Sequence, residues 1–508
     1  MAFCGFFMVY ALRVNLSVAI LTMKSQFEWN SATQSLVLSS FFFGYLFSQI
    51  PGGYLAGKYG AKAVFGAGIF VTSSLTLLTP VVAMSRHLWL LVLLRVVEGF
   101  GEGVTYPAMM AMWGRWAPPL ERTKLATSGF CGSYAGTIVG LPLSYYLIGT
   151  DIPGMQGWES VFYLLGVVGV VWYFFWVMLI YDTPESHPRI TKAEREYITQ
   201  SIQSQQIGTE YAPVPWGQLA KSIPLYAIIF AHLCNNWAFY ALLTGLSTYL
   251  HSGVGVSVDD GGLDACLPYV SIFITALGSG RAADFLRDSW GVPTGHVRKA
   301  FNTTSFLLAG AFLILTGMSK AVGRQIGVSH RFASVACITI AQGGLGLGFG
   351  GWGVNHLDIG PRYAGVLMGI TNTIATIPGF VAPEITGYLV VCNICDKKDD
   401  AACGFHFKGP TPCPPDAVPG PNGTFINITH GYTQCTDTMV QDEWKQVFFV
   451  SAFLCFFGAV IYLLMGSGKV QSWNTPDSLR QEQYEDVLEG SIQADGDKPY
   501  TTAVISKS

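Results

Sequence analysis

A chain of 508 residues that is 50% hydrophobic, only 12% charged and holds 58 glycines is not an ordinary soluble domain, in which about a quarter of residues are charged. The net charge of −3 comes without any basic block, so nothing in the sequence points to nucleic acid as a partner. A mean hydropathy of +0.39 leaves an all-α, polytopic membrane protein as the expected class, each spanning helix needing about 20 apolar residues.

In chain order, apolar stretches fall at 3–23, 35–55, 64–84, 88–112, 124–148, 160–181, 223–250, 263–285, 298–318, 331–354, 363–391 and 443–466, which makes twelve transmembrane helices. The polar segment 182–222 divides them six and six. The expected domains are therefore 1–181, a linker at 182–222, 223–466, and a disordered tail at 467–508. No cleavable signal peptide is legible, because Met1-Ala2-Phe3 runs straight into the first span, with Arg13 inside it; so abrupt a start leaves room for a cytosolic tail upstream.

In the first span, Arg13 stays charged at mid-membrane depth, and its planar fork suits a carboxylate. A permanent pair with a carboxylate of the fourth span is the alternative reading. Tyr10, one turn earlier, and Tyr45 in the second span are candidate hydroxyl donors to a substrate, or packed aromatics. The fourth span carries Arg95, Glu98 and Glu102 near its middle, at i, i+3 and i+7, hence on one face. Ionisable groups at that depth mark a functional site unless they are paired. An Arg95–Glu98 pair that merely locks two helices together leaves Glu102 over, and an unpaired buried carboxylate becomes a proton carrier. Gly99, Gly101 and Gly103 permit close packing around it. His232 in the seventh span reads as a core or pore-side polar group. Asn355-His356-Leu-Asp358 ends the tenth span: His356 is a gate or pH sensor or else a satisfied structural histidine, and Asp358, near Arg362, a gating residue or clamp. Glu384, in the eleventh span, has no evident partner.

Basic residues set the expected orientation. Lys58 and Lys62, Arg115, Arg122 and Lys124, Arg189, Lys192 and Arg195, Arg287, Arg298 and Lys299, and Arg362 all follow even-numbered spans. By the positive-inside rule both termini and the 182–222 segment are cytoplasmic. Lys320, Arg324 and Arg331, after the ninth span, run against the rule. The loop 392–442 then lies in the lumen or outside the cell. Its two sequons, at Asn422 and Asn427, agree with glycosylation there. Cys392, Cys395, Cys403, Cys413 and Cys435 are disulfide candidates, one being left over; zinc ligation through Cys392-x-x-Cys395 is the rival. In the tail, Tyr484-Glu-Asp-Val487 has the form of a sorting signal.

Two loops repeat a pattern. Gly53-Tyr-Leu-Ala-Gly57-Lys-Tyr-Gly60-Ala-Lys62 follows the second span, and Gly280-Arg-Ala-Ala-Asp284-Phe-Leu-Arg287 the eighth. This resembles the loop signature of the major facilitator superfamily, with Gly57 at the usual acidic place in the first copy and Asp284 in the second. Further stretches resemble one branch of it: Tyr10-Ala-Leu-Arg13-Val-Asn15, Phe43-Gly-Tyr45, Gln49-Ile-Pro-Gly-Gly53, Glu98-Gly-Phe-Gly-Glu102-Gly-Val-Thr-Tyr106-Pro, Trp116-Ala-Pro-Pro-Leu-Glu121-Arg122, Asn355-His356-Leu-Asp358-Ile and Gly369-Ile-Thr-Asn372. The branch comprises the organic-anion transporters that include sialin, the vesicular glutamate transporters and the type I sodium–phosphate cotransporters. The resemblance implies two six-helix halves, alternating access and a site near the bilayer midplane. It also implies an anionic substrate, typically moved with a proton or with membrane voltage; the expected case is a small organic anion, an acidic sugar such as sialic acid or an acidic amino acid, moved with protons.

The resemblance makes Arg13 the anion-binding arginine; around the substrate Tyr10, Tyr45, Tyr106 and Asn355 are expected, and the buried charges of the fourth span make Glu98, Glu102 and Arg95 the expected proton-coupling set. It places the protein in a lysosomal or vesicular membrane, or else the plasma membrane, as a monomer without metal or cofactor. Departures are informative. Leu38 and Asn235 stand where glutamate transporters carry a histidine and an arginine, which leans towards sialin-like members; Met110 stands where many members carry a histidine, a departure that bears on the details of proton coupling. Leu125-Ala-Thr-Ser and Cys131-Gly-Ser-Tyr-Ala-Gly136 resemble the glutamate branch instead. Sodium-driven phosphate or anion cotransport, voltage-driven glutamate or aspartate uptake, and a non-transporting sensor are the alternatives. No Gly-x-Ser-x-Gly, His-Glu-x-x-His or paired nucleophile and base lies within the spans, so an enzyme is not expected.

Overall fold

Long helices form wherever the sequence offers about 20 apolar residues, since backbone groups in a bilayer must be satisfied within the segment. The computed structural model describes residues 1–29, 31–150, 157–203, 213–255, 261–390, 418–419, 425–426 and 437–475. Asn422, Asn427, Cys392, Cys395, Cys403, Cys413, Cys435 and Tyr484 lie outside the described residues.

The first six spans are Ala2–Phe27, Ser31–Tyr59, Ala61–Met84, Leu88–Gly103 continued by Thr105–Trp116, Arg122–Phe130 continued by Gly132–Ile148, and Gly157–Leu179. The second six are Ile223–Thr248, Gly261–Asp288, Thr294–Gly317, His330–Leu347 continued through the turn Gly348–Gly350 by Trp352–Ile359, Ala364–Thr376 continued by Pro378–Leu389, and Asp437–Met465. Eight of the twelve meet the length and hydropathy of a membrane span on their own. Of the other four, the fourth and fifth are each divided into two shorter helices, and the second and eighth dilute their apolar content with small and polar residues.

Several spans are broken where the sequence reads as continuous, and each break has a local cause. Pro107 has no N–H to offer the Gly103 carbonyl, and the fourth span turns at Val104. Pro378 does the same to Ile374, and the eleventh span turns at Ile377. Gly348, Gly350 and Gly351 loosen the tenth. Helices Lys192–Gln203 and Ser319–Ile326, outside the twelve, were not foreseen.

Within the first half, span two packs on four, one on five and three on six; within the second, nine on twelve and eight on ten. Close approach depends on glycine: a Cβ on Gly99 would sit 1.8 Å from the Phe41 carbonyl oxygen, and one on Gly44 1.8 Å from that of Val96. The halves meet where span two touches eleven and span five touches eight. There a Cβ on Gly53 would fall 2.3 Å from the Gly365 oxygen. Buried apolar residues form three clusters, one chiefly of the second half, one chiefly of the first that also takes in Val354, Leu357, Ala364 and Met368 of the second, and a smaller one of the first half alone; a cavity lies between the halves.

Candidate functional site

Arg13 faces the fourth span. Its Nε lies 2.7 Å from Glu102 Oε1, and the two form an ion pair. Its guanidinium carbon stands 4.7 Å from the Tyr10 ring centre and 4.6 Å from that of Tyr45, with Phe41 at 5.3 Å. A charge at this depth is thus met by one carboxylate and three aromatic faces. Arg95 pairs with Glu98 on the same helix and rests on the Phe41 ring, 5.0 Å away. Glu98 also lies 3.3 Å from the hydroxyls of Thr76 and Thr79, on span three. Arg95, Glu98 and Glu102 are all buried. Glu102 is therefore not left over: its partner comes from another helix, 89 residues away in sequence.

Between the halves is a small cavity. Tyr10, Tyr45 and Tyr106 line its first-half wall; His232, Asn235, Asn236, Tyr240, Trp352 and Asn372 line the other. Its open volume of about 50 Å³ holds water but no sugar acid. Arg13 does not line this space; the rings of Tyr10 and Tyr45 that touch it do. Asn372 ties the walls together, donating to Gln49 Oε1 at 2.7 Å and to the Tyr45 hydroxyl at 3.2 Å. Asn355 is not in the cavity wall. Its amide donates to the Tyr462 hydroxyl at 2.6 Å, a contact between the tenth and twelfth spans.

The family model of the Major Facilitator Superfamily matches residues 2–383. The chain belongs to that superfamily. Human sialin is 38% identical over 511 residues, covering 94% of this chain and 90% of that protein. Human vesicular glutamate transporter 2 is 34% identical over 507 residues, covering 96% and 77%. Among solved structures the proton:xylose symporter XylE, bound to 6-bromo-6-deoxy-D-glucose, matches with a TM-score of 0.62 at 12% identity, covering 93% of this chain and 96% of that one. The E. coli fucose:proton symporter FucP matches with a TM-score of 0.53 at 14% identity, covering 90% and 97%. This major facilitator protein is an integral membrane transporter, not an enzyme, of the branch that holds sialin and the vesicular glutamate transporters. Among the described residues no cluster of three His, Cys, Asp or Glu is placed to hold a metal ion.

Other sequence-selected residues of this facilitator sit towards the end of the bundle that carries the linker. His356 Nε2 lies 2.8 Å from the Thr371 hydroxyl, which is also 3.3 Å from Nδ1 of His232; the His232 ring stacks on Trp352 at 4.3 Å. His232 thus reaches the cavity, and His356 stands one side chain behind it. Asp358 accepts from Arg298 Nε at 2.7 Å and pairs with Arg122 of the first half at 3.6 Å. Around it Arg298 donates to Thr123 at 3.0 Å, the Lys124 N–H to Asp284 at 2.7 Å, and Arg287 to the Pro119 carbonyl at 2.7 Å. Every one of these last bonds crosses between halves. Glu384 is exposed on span eleven.

Motif reading missed Thr76, Thr79, Tyr240, Asn236 and the role of Asn372 as a bridge. One signal was present: Thr72, Thr76 and Thr79 repeat at i, i+4 and i+7 and so share one face of the third span.

Proposed function

We propose that this facilitator is a proton-coupled symporter of small organic monoanions, acidic sugars foremost, working by alternating access. The observation that carries the reading is the Arg13–Glu102 pair beneath the tyrosine-lined cavity. Arg13 has one fork, and Glu102 and a substrate carboxylate compete for it. A proton on Glu102 releases the guanidinium, so proton and anion bind together, each raising the affinity of the site for the other. The second-half wall offers His232, Asn235, Asn236 and Asn372, hydrogen-bonding groups suited to hydroxyl or acylamino groups rather than to a second carboxylate. That wall favours an acidic sugar over glutamate or aspartate.

In the same reading residues 1–181 and 223–466 are the two halves, and the 182–222 linker and 467–508 tail are cytoplasmic. The loop 392–442 is luminal, and the membrane is that of a lysosome or vesicle. The basic residues after the even-numbered spans support that orientation.

Purified protein in proteoliposomes, with an imposed pH gradient and a panel of sialic acid, glucuronate, glutamate, aspartate and phosphate, tests it. Arg13→Ala abolishes uptake of every anion. Glu102→Gln, which leaves the guanidinium free, retains exchange of substrate but loses acceleration by the pH gradient. Full pH-driven uptake by Glu102→Gln sinks the coupling assignment. Replacement of sodium by choline leaves uptake unchanged, and a loss there makes the protein a sodium cotransporter instead.

A further inference from the structure

We propose that Thr76 and Thr79 are positioning residues for proton coupling at Glu98: each hydroxyl turns between two acceptors and so satisfies that carboxyl group in both its charged and its neutral form. The inference rests on the proposed proton coupling and extends it from Glu102 to Glu98, one turn earlier on the same helix, the two carboxylates handling the transported proton together.

The geometry is a matter of donor counting. Thr76 Oγ1 lies 3.3 Å from Glu98 Oε1 and 2.8 Å from the Thr72 carbonyl oxygen of its own helix. Thr79 Oγ1 lies 3.3 Å from the same Glu98 oxygen and 3.1 Å from the Leu75 carbonyl oxygen. A hydroxyl has one proton to give and lone pairs to receive with. With Glu98 ionised, both hydroxyls aim their protons at Oε1, while Arg95 holds Oε2. With Glu98 protonated on Oε1, the two hydroxyls swing back to Thr72 and Leu75, and one of them accepts the new O–H. Both states keep the Glu98 carboxyl and the two hydroxyls hydrogen-bonded, so neither form is resisted by a stranded group among these three.

Register is fixed by neighbouring contacts. Thr72 donates to the Glu98 carbonyl oxygen at 3.2 Å, and a Cβ on Gly68 would lie 2.5 Å from the Gly101 oxygen, so spans three and four are in close contact. The charged groups facing Glu98 are Arg95 and Glu102 on its own helix, with Arg13 of span one behind Glu102. Span two contributes the Phe41 ring under Arg95, and span three the threonines.

The test compares Thr76→Val, Thr79→Val, the double valine variant, the double serine variant and Glu98→Gln in proteoliposomes, by initial uptake rate against the pH of the proton-donating side. A hydrogen bond to an ionised carboxylate is stronger than one to its neutral form, so the double valine variant moves the pH of half-maximal rate upward by about one unit, each single variant by less. The KM for the anion stays within about twofold, and serine restores the wild-type profile. If the double variant does not fold, the single variants carry the same sign. A valine profile superimposable on wild type, with Glu98→Gln insensitive to pH, overturns the threonine role and leaves the proton on Glu98. Unaltered pH dependence in Glu98→Gln removes the premise itself.

Discussion

A guanidinium inside an apolar helix is tolerated when its charge, its fork and its flat faces are all used, and Arg13 uses all three: Glu102 takes the fork, and Tyr10 and Tyr45 take the faces. Lysine keeps only the charge. Arg13→Lys is therefore expected to raise the KM for the anion ten- to a hundredfold, about 1.4–3 kcal/mol, with expression unchanged. An unaltered KM places the carboxylate somewhere else. At this scale the sequence was informative about cost and offered pairing with a fourth-span carboxylate only as an alternative. Arg13, Glu98 and Glu102 stood out because charge is rare in apolar helices. Which of the two carboxylates answers Arg13 could not be read, since the choice of Glu102 is made only by the packing of span one beside span four. The threonines escaped notice because a threonine in an apolar helix ordinarily bonds its own preceding turn and asks for no partner. Asn355, picked from its motif, turned out to serve a helix contact with Tyr462.

Among elements, the period and length of the apolar stretches placed all twelve spans, while the breaks inside them depended on single prolines and glycines whose effect is tertiary. The turn ahead of Pro107 is the instructive one. It presents the Pro107 carbonyl to span eleven, where a Cβ on Gly365 would lie 2.8 Å from that oxygen and 3.0 Å from the Ala111 Cβ. Gly365→Val should leave each half folded but obstruct their closure at this end, cutting turnover at least tenfold with a melting temperature within a few degrees of wild type. Normal turnover means the halves never approach this closely in the cycle. The linker helix Lys192–Gln203 is held more loosely, through the Tyr197 hydroxyl donating to Glu121 at 2.9 Å. Lys124, 2.7 Å away, and then Tyr197 hold the Glu121 carboxyl below the usual carboxylate range. Its contribution is thus complete above the ordinary glutamate value and fades only as pH falls through the depressed one. Protection of the linker helix in hydrogen exchange should accordingly be flat from pH 5 to pH 8, and a loss near pH 6 would assign its docking to another group.

For the molecule as a whole, alternating access requires that the end now shut be able to open, and the bonds across it state what opening costs. Asp358 is the hub: Arg298 of its own half and Arg122 of the other both converge on it, and all three are buried. Removing a partner from a buried pair typically costs 3–5 kcal/mol, because a charge is left without compensation. In Asp358→Asn that penalty divides unevenly. Arg298 shares a half with Asp358 and suffers in every conformation, which lowers stability without favouring either state. Arg122 sits across the divide, and separation of the halves returns it to water, so its share is paid only while this end is closed. If that share is about 2 kcal/mol, the closed-to-open ratio falls about thirtyfold. The expected outcome is a variant that labels readily with a maleimide at a cysteine introduced in place of Thr123, at a position buried in the closed arrangement, in a protein that transports slowly but still binds anion. Equal labelling of Thr123→Cys with and without Asp358→Asn would mean that apolar and backbone contacts, not this ion cluster, hold the end shut. Those contacts are many, Gly53 on Gly365 and Thr127 against Gly280 among them, and the comparison therefore weighs charge directly against close packing as the latch of the transporter.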